Sequence, residues 1–372
     1  MIQPYVPDSL PLDNLDYRLL LPLVGQANAA LARYDGLLQG IPNPAVMLSP
    51  LTTQEAVLSS RIEGTQATVD EVLEQEAGLL KEGEKYQDIQ EISNYRRALF
   101  KAREYLLDYP IRLGFVCELH RILMNSVRGQ DKTPGEFRRD QNWIGRQGCT
   151  LEQATFVPPN PLQLLDYLQA WERYLDYDDV DFLIQTAIVH AQFELLHPFK
   201  DGNGRIGRIL IPLFLYQKRA LSQPMFYLSE YLENHREEYC QRLKAISAER
   251  DWDGWIAFFL RATIVQARQN IGRVEAIKSL YDEMKVAIHE TTHSQYSVHL
   301  LDAIFSKPIF RTSDLAQKLI AEYGIHEKTA LALLRQLRDA GILRELQAGS
   351  GRRAATLCFP RLINLAEGRE IL

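Results

Sequence analysis

Residues 197–208 read HPFKDGNGRIGR. This run joins two strongly apolar segments. Upstream, DFLIQTAIVHAQFELL (Asp181–Leu196) is apolar all round, with Phe182, Thr186, Val189, Phe193 and Leu196 on one stripe, which predicts a buried central helix. Downstream, RIGRILIPLFLYQKRA predicts a second apolar helix starting near Arg205, with Pro212 inside it either bending it or sitting where neighbours absorb a lost hydrogen bond. Two buried helices joined by a glycine turn are the core of a mainly α fold.

The turn has its own chemistry. Gly202, Asn203 and Gly204 tolerate positive φ, so successive backbone N–H groups can point into one concavity and hold an anion. The start of the next helix adds its unpaired N–H groups and the positive end of its dipole. Arg205 and Arg208 lie three apart, on one face of the first turn. Two guanidinium groups above such a nest suit a polyphosphate. Asp201 would repel that anion unless a hard divalent cation, Mg²⁺ by preference, bridges the two. His197 is placed to accept a proton near neutral pH. Each piece alone also has a plain structural reading. His190 and His197, seven apart, are alternative candidates for a metal pair. No GxxxxGK[ST] loop and no strand followed by GxGxxG is present, so those nucleotide folds are excluded.

Outward from this centre, helical patterning continues. LTTQEAVLSSRIEGTQATVDEVLEQEAG predicts two helices broken near Glu63-Gly64, the second capped by the Thr or Asp of TVDEV. YQDIQEISNYRRALFKAREYLLDYP predicts a helix stopped by Pro110. NWIGRQGCTLEQATFVPPNP breaks the pattern and predicts a short β-hairpin or extended flap. From about Ser297, three helices precede two strands around a Gly-Ser-Gly-Arg-Arg tip, with Ser313-Asp314 capping the second helix and Gly341 ending the third. That order resembles a winged helix-turn-helix domain. Residues 295–372 carry eleven Lys/Arg against eight Asp/Glu.

Composition sets outer limits. The 372 residues exceed one core, and net charge is −6, so no global basic field draws the chain to nucleic acid or anionic membrane. Four scattered cysteines without a CxxC pair, and a start lacking a basic-then-apolar leader, fit a reducing cytoplasm. Apolar runs are too short to cross a bilayer.

Taken whole, HPFKDGNGRIGR resembles the Fic-family signature, HxFxxGNGRxxR with an acid before GNG. PGEFRRDQNWIG resembles the family's PGxxR segment, and FVPP the end of its flap. The resemblance spans about residues 50–265. It implies an all-α core that moves a nucleoside monophosphate, usually AMP from ATP, onto a protein hydroxyl. His197 would then deprotonate the target Ser, Thr or Tyr. Asp201 would hold Mg²⁺ between the α- and β-phosphates. The loop Gly202, Asn203, Gly204, Arg205, Ile206, Gly207 and Arg208 would hold the phosphates, Arg205 the β and Arg208 the γ. Phe199 would pack beneath. Thr155, Phe156 and Val157 would form the flap that registers a target by strand addition. Tyr239 would line the nucleoside pocket, where Cys240 and Ser247 depart from the family's second tyrosine and asparagine.

SSRIEG resembles the family's inhibitory pattern through Ser59, Glu63 and Gly64. The resemblance implies a carboxylate paired bidentately with Arg208 that displaces the γ-phosphate. The expected layout is an N-terminal helical region with the inhibitory motif (1–105), a catalytic core (106–265), a helical linker (266–294) and a winged-helix-like domain (295–372). Three functions stay open: an autoinhibited protein adenylyltransferase that also modifies itself and forms a homodimer; an enzyme moving another nucleotide or phosphate, or removing AMP; and a DNA-binding regulator contacting phosphates through Arg335, Arg338, Arg352 and Arg353.

Overall fold

The computed structural model describes residues 3–79, 85–125, 132–146, 148–351 and 353–372. Its helices are α1 Tyr17–Gln39, α2 Pro44–Met47, α3 Ser49–Ile62, α4 Val69–Glu76, α5 Tyr86–Tyr105, α6 Leu113–Leu123, α7 Pro161–Leu175, α8 Phe182–Leu196, α9 Asn203–Gln217, α10 Ser229–Asn234, α11 Arg236–Glu249, α12 Trp252–Thr292, α13 Ser297–Ser306, α14 Thr312–Tyr323, α15 Glu327–Asp339 and α16 Pro360–Glu367. Three short strands, β1 Ile309–Arg311, β2 Arg344–Gln347 and β3 Thr356–Cys358, complete the described elements. The chain divides into two compact units: residues 1–36, 58–65 and 93–268, and residues 37–57, 66–92 and 269–372.

The first unit is built on α8 and α9. Asp181 caps α8 by accepting from the amides of Leu183 at 2.8 Å and Ile184 at 3.2 Å. Nearly every residue of α8 is buried, as its all-round apolar pattern requires. α9 packs along it, and α7 and α11 close its other sides. Trp171 and Trp255 are both fully buried, and their indole N–H groups donate to Val189 O and Ala187 O on α8, each at 2.9 Å. Two large apolar bodies are thus seated on one helix with their polar tips satisfied. Pro212 lies inside α9 and is itself buried, so the helix runs through it.

The second unit gathers α2, α4 and the C-terminal residues. β3 lies between β1 and β2, antiparallel to both, with Phe310 opposite Leu357 and Glu345 opposite Leu357. α4 leans on β1, where Arg311 donates to Gly78 O at 2.7 Å. A Thr68–Glu71 capping box opens α4, matching the TVDEV cap.

Some local expectations shift. The sequence pattern does not reveal β1 or α16, because three residues are too few to show a period and α16 follows directly on a strand. The N-cap of α14 is Arg311, with Ser313-Asp314 already in its first turn. α5 ends at Tyr105, ahead of Pro110. Among the described residues the flap reduces to a single bridge, Ile144 with Phe156, around a 3₁₀ turn at Leu151–Gln153. Arg352, expected at a wing tip, lies outside the described residues.

Candidate active site

α8 ends on His197, whose backbone is left-handed at φ 46° and ψ 59°. Glycine or asparagine usually takes that C-terminal position, because a Cβ there is strained. Here the strain is held by Arg138, 2% exposed, which donates from Nε to His197 O at 2.9 Å and from NH2 to Pro159 O at 2.6 Å and Leu196 O at 3.4 Å. The guanidinium fork thus satisfies carbonyls that the end of α8 leaves open. The turn swings the His197 ring off the helix, with Nδ1 3.4 Å from Glu194 O. That contact directs the Nδ1 proton to the carbonyl and leaves Nε2 as the basic nitrogen. Burial pushes the imidazole down to about 4, against the opposing pull of Glu194 O and the Glu63 charge, so it is neutral near pH 7.

The loop after His197 is closed by Asn203. Its Oδ1 accepts from Phe199 N and its Nδ2 donates to Phe199 O, both at 2.8 Å. Phe199 is fully buried and stacks on His120 at 3.8 Å between ring centroids. Gly135 N donates to His120 Nδ1 at 2.8 Å, which leaves Nε2 to carry the proton and donate to Asp201 O at 3.0 Å. Burial lowers this histidine to about 4, so it acts as a neutral prop. Gly202 has φ 76°, and a Cβ there would lie 3.0 Å from Met124 Sδ. The positive φ demands glycine, and the Met124 sulfur would have to give way to a Cβ. Asp201 Oδ1 accepts from Gly202 N at 2.6 Å and lies 3.6 Å from Arg205 NH2, while its side chain keeps 46% of its surface open.

At the first turn of α9 the buried arginines meet the N-terminal region. Arg208 donates from Nε to Ser59 Oγ at 2.8 Å, and from NH2 to Ser59 O at 2.9 Å and Glu63 Oε1 at 2.6 Å. The bidentate pair expected from sequence is therefore a shared one: Glu63 contributes one oxygen, and Ser59 takes the other donors. A Cβ on Gly204 would collide with the Glu63 carboxylate, so this acid sits over the start of α9, where an anion is favoured. Burial alone would raise the Glu63 carboxyl. The charge and hydrogen bond of Arg208, with Arg205 and His197 behind them, bring it below the usual range. Its side chain still keeps 39% of its surface open to solvent, so the pair is screened on one side. Gly64, at φ 102°, turns the chain away after the carboxylate.

The remaining sequence candidates divide. Ile206 is buried core, and Gly207 lies against the Glu194 carboxyl. Tyr239 is buried with its hydroxyl 3.0 Å from His190 Nε2, while His190 Nδ1 lies 3.0 Å from Gly207 O. Both ring nitrogens of His190 are thus committed, and burial lowers it to about 3, so it does not pair with His197 on a metal. Among the described residues no group of three or more His, Cys, Asp or Glu is arranged to hold one. Thr155 donates from N at 2.8 Å and from Oγ1 at 2.9 Å to Ile144 O. Val157 O accepts from Tyr5 N at 2.8 Å. Sequence reading missed Arg138, His120 and Glu194 as supports of the loop. The PGxxR resemblance pointed to Arg138, and nothing local pointed to the others.

This arrangement agrees with what the chain resembles. Residues 21–104 match the Fic/DOC family N-terminal model, residues 110–215 the Fic/DOC family, and residues 280–352 the C-terminal domain of SoFic-like protein adenylyltransferases. A probable protein adenylyltransferase of Aquifex aeolicus is 25% identical over 193 residues, covering 51% of this chain and 56% of that protein. Protein adenylyltransferase Fic of Drosophila erecta is 33% identical over 108 residues, 28% of this chain and 20% of that protein. The chain therefore spans about half of the first relative and a fifth of the second. A Fic family protein of Desulfovibrio desulfuricans superposes with a TM-score of 0.57 over 96% of this chain and 98% of its own, at 20% identity. Fic-1 of C. elegans does so at 0.54 over 69% of this chain and 73% of its own, at 18% identity. No described helix is long and apolar enough to cross a membrane. With its three segments matched in order and the signature loop folded between two buried helices, the chain belongs to the Fic/DOC family.

Proposed function

We propose that the protein is an autoinhibited protein adenylyltransferase, moving AMP from ATP to a hydroxyl of a target protein. The observation that carries this reading is the Glu63 carboxylate lodged over Gly204 and on Arg208, an anion already seated where the loop favours one. In the reaction, His197 Nε2 takes the proton of the target hydroxyl as that oxygen attacks the α-phosphorus. The bond from the α-phosphorus to the bridging oxygen breaks, and pyrophosphate leaves. General-base help of this kind is worth roughly 10²–10⁴ in rate. The neutral state of His197 supports the role. The start of α9 with Arg205 and Arg208 would orient the phosphates. Asp201, half open to solvent, fits Mg²⁺, which needs only one or two carboxylates beside phosphate oxygens. When bound, the ion would offset charge on the departing pyrophosphate.

While Glu63 and Ser59 hold Arg208, a γ-phosphate cannot use that guanidinium, and a bound ATP would sit displaced. A misplacement of ~1 Å is worth roughly 10²-fold. Transfer of label from α-labelled ATP with Mg²⁺ tests this. Glu63→Gly should label about 10²-fold faster than wild type, and Glu63→Gly/His197→Ala should not label. No label from any variant would end the reading.

The solvent-open face of Glu63, within electrostatic reach of His197, favours a second use, hydrolytic removal of AMP from a modified protein. That activity would vanish in Glu63→Gly, the variant that gains transfer. For the C-terminal unit we favour a winged-helix-like protein-docking module over a DNA reader. Arg338 is engaged by Asp339 at 2.8 Å and Glu345 at 3.2 Å, which spends its charge locally. A cytoplasmic location and a homodimer complete the reading.

A further inference from the structure

The flap strand has two edges. Phe156 exchanges both of its backbone bonds with Ile144, its amide donating to Ile144 O at 3.1 Å and its carbonyl accepting from Ile144 N at 2.9 Å. In a strand of alternating direction the carbonyl of the next residue, Val157, then faces the opposite edge. A target added as a strand would use that edge, and it is occupied. Tyr5 N donates to Val157 O at 2.8 Å, and the Tyr5 ring packs on Phe156 at 5.8 Å between centroids. Val6 is 65% exposed, so the segment alternates inward and outward as an added strand does. Asp8 anchors its far end. Its Oδ2 accepts from Trp252 Nε1 at 2.9 Å, its Oδ1 lies 3.4 Å from Arg250 Nε, and its carbonyl accepts from Gln192 Nε2 at 3.3 Å.

We infer that residues 3–8 are a tethered occupant of the target's own place on the flap, and that a target enters by replacing Tyr5 at the Val157 carbonyl with an extended segment carrying an aromatic side chain over Phe156. The inference rests on the adenylyltransferase reading for its purpose, but not for its geometry. The sequence of the segment makes the occupant exchangeable. On the flap-facing side the residue after Tyr5 is Pro7, which has no N–H, so the ladder stops after one bond. A target segment without proline two residues past its aromatic can make the next bond and gains over the occupant. The tether compensates by keeping the occupant at a high effective concentration. The flap thus has a selectivity filter: weak or proline-interrupted strands lose to the chain's own segment, and longer strands win. This is separate from the Glu63 contact, which bears on the nucleotide.

The test uses a fluorescent synthetic peptide of residues 3–11, QPYVPDSLP, with the full-length protein. In the double variant Tyr5→Ala/Asp8→Ala, whose own segment has lost its ring and its anchor, the peptide should bind at least about tenfold more tightly than to wild type. A peptide with alanine in place of the second proline should bind more tightly still, and Phe156→Ala added to the double variant should abolish binding. Thermal midpoints of the variants confirm folding. Equal binding to wild type and variant, or binding to neither, overturns the inference. A second arm follows AMP transfer onto a His197→Ala copy of this chain, where the double variant in the Glu63→Gly background should be several-fold faster through a lower KM. If Glu63→Gly transfers no label, the adenylyltransferase reading falls while the peptide arm still decides the flap.

Discussion

His197 decides how the site responds to pH. With the imidazole pushed down to about 4 by burial, it stays an available base well below the usual histidine range. The kcat/KM of the Glu63→Gly enzyme, which reports the free enzyme, should therefore hold steady from pH 8 to about 5 and fall only near pH 4. Removing Glu63 takes away a charge that raises the histidine, so the variant's limb lies no higher than this. An acid limb near 6.5 would show that solvent reaches the ring more freely than its packing allows. Ser59 carries a smaller share of the brake than Glu63. Its Oγ accepts one charge-assisted hydrogen bond from the Arg208 guanidinium, of a kind worth ~1.5–3 kcal/mol, and Arg208 keeps Glu63 and the Ser59 carbonyl, so Ser59→Ala should release transfer by roughly 10-fold.

At the scale of elements, the site is a helix end, a closed loop and a helix start, and each is fixed from outside itself. Gly202→Ala forces a Cβ into a left-handed residue and against Met124, so it should cost about 1–2 kcal/mol, seen as a lower denaturant midpoint. Arg138→Lys removes the fork that holds the Pro159, Leu196 and His197 carbonyls and puts one ammonium in its place. The His197 turn then loosens by a fraction of an ångström to an ångström. In the Glu63→Gly background kcat should fall by roughly 10²-fold with KM for ATP little changed. A fall in KM affinity instead, with kcat intact, would place Arg138 in ATP binding.

Over the whole molecule, the buried ionisable groups of the first unit set opposite slopes of stability with pH. Glu194 is pushed up to about 8 by burial and by the Glu63 charge, against the pull of Arg208. The unfolded chain loses this proton near 4.3 and the folded one near 8, so stability falls as pH rises between them, by at most ~1.4 kcal/mol per pH unit. His120, His190 and His197 are lowered to about 4, 3 and 4, so the unfolded chain gains their protons first and stability falls as pH drops from about 6.5. Maximum stability should lie a little below pH 7, where the fading slope of the three histidines equals that of Glu194. Glu194→Gln should flatten the alkaline side of a denaturant-midpoint profile and steepen the acid side above about pH 4.3, where the Glu194 slope opposes that of the histidines.

The pieces whose signals are local can be read from the amino-acid order alone. An all-round apolar α8, a glycine turn and an arginine pair at i and i+3 are legible because period, turn chemistry and helix-face spacing act over a few residues. The family resemblance extended this to Ser59 and Glu63, far off in the chain. What holds these parts in place comes from packing across the fold. Arg138 on the end of α8, His120 under Phe199, the Glu63 carboxylate over Gly204 and Tyr5 on the flap are meetings of residues up to about 150 apart in sequence. No local pattern encodes them, because a side chain's partner across the fold is set by how the helices pack.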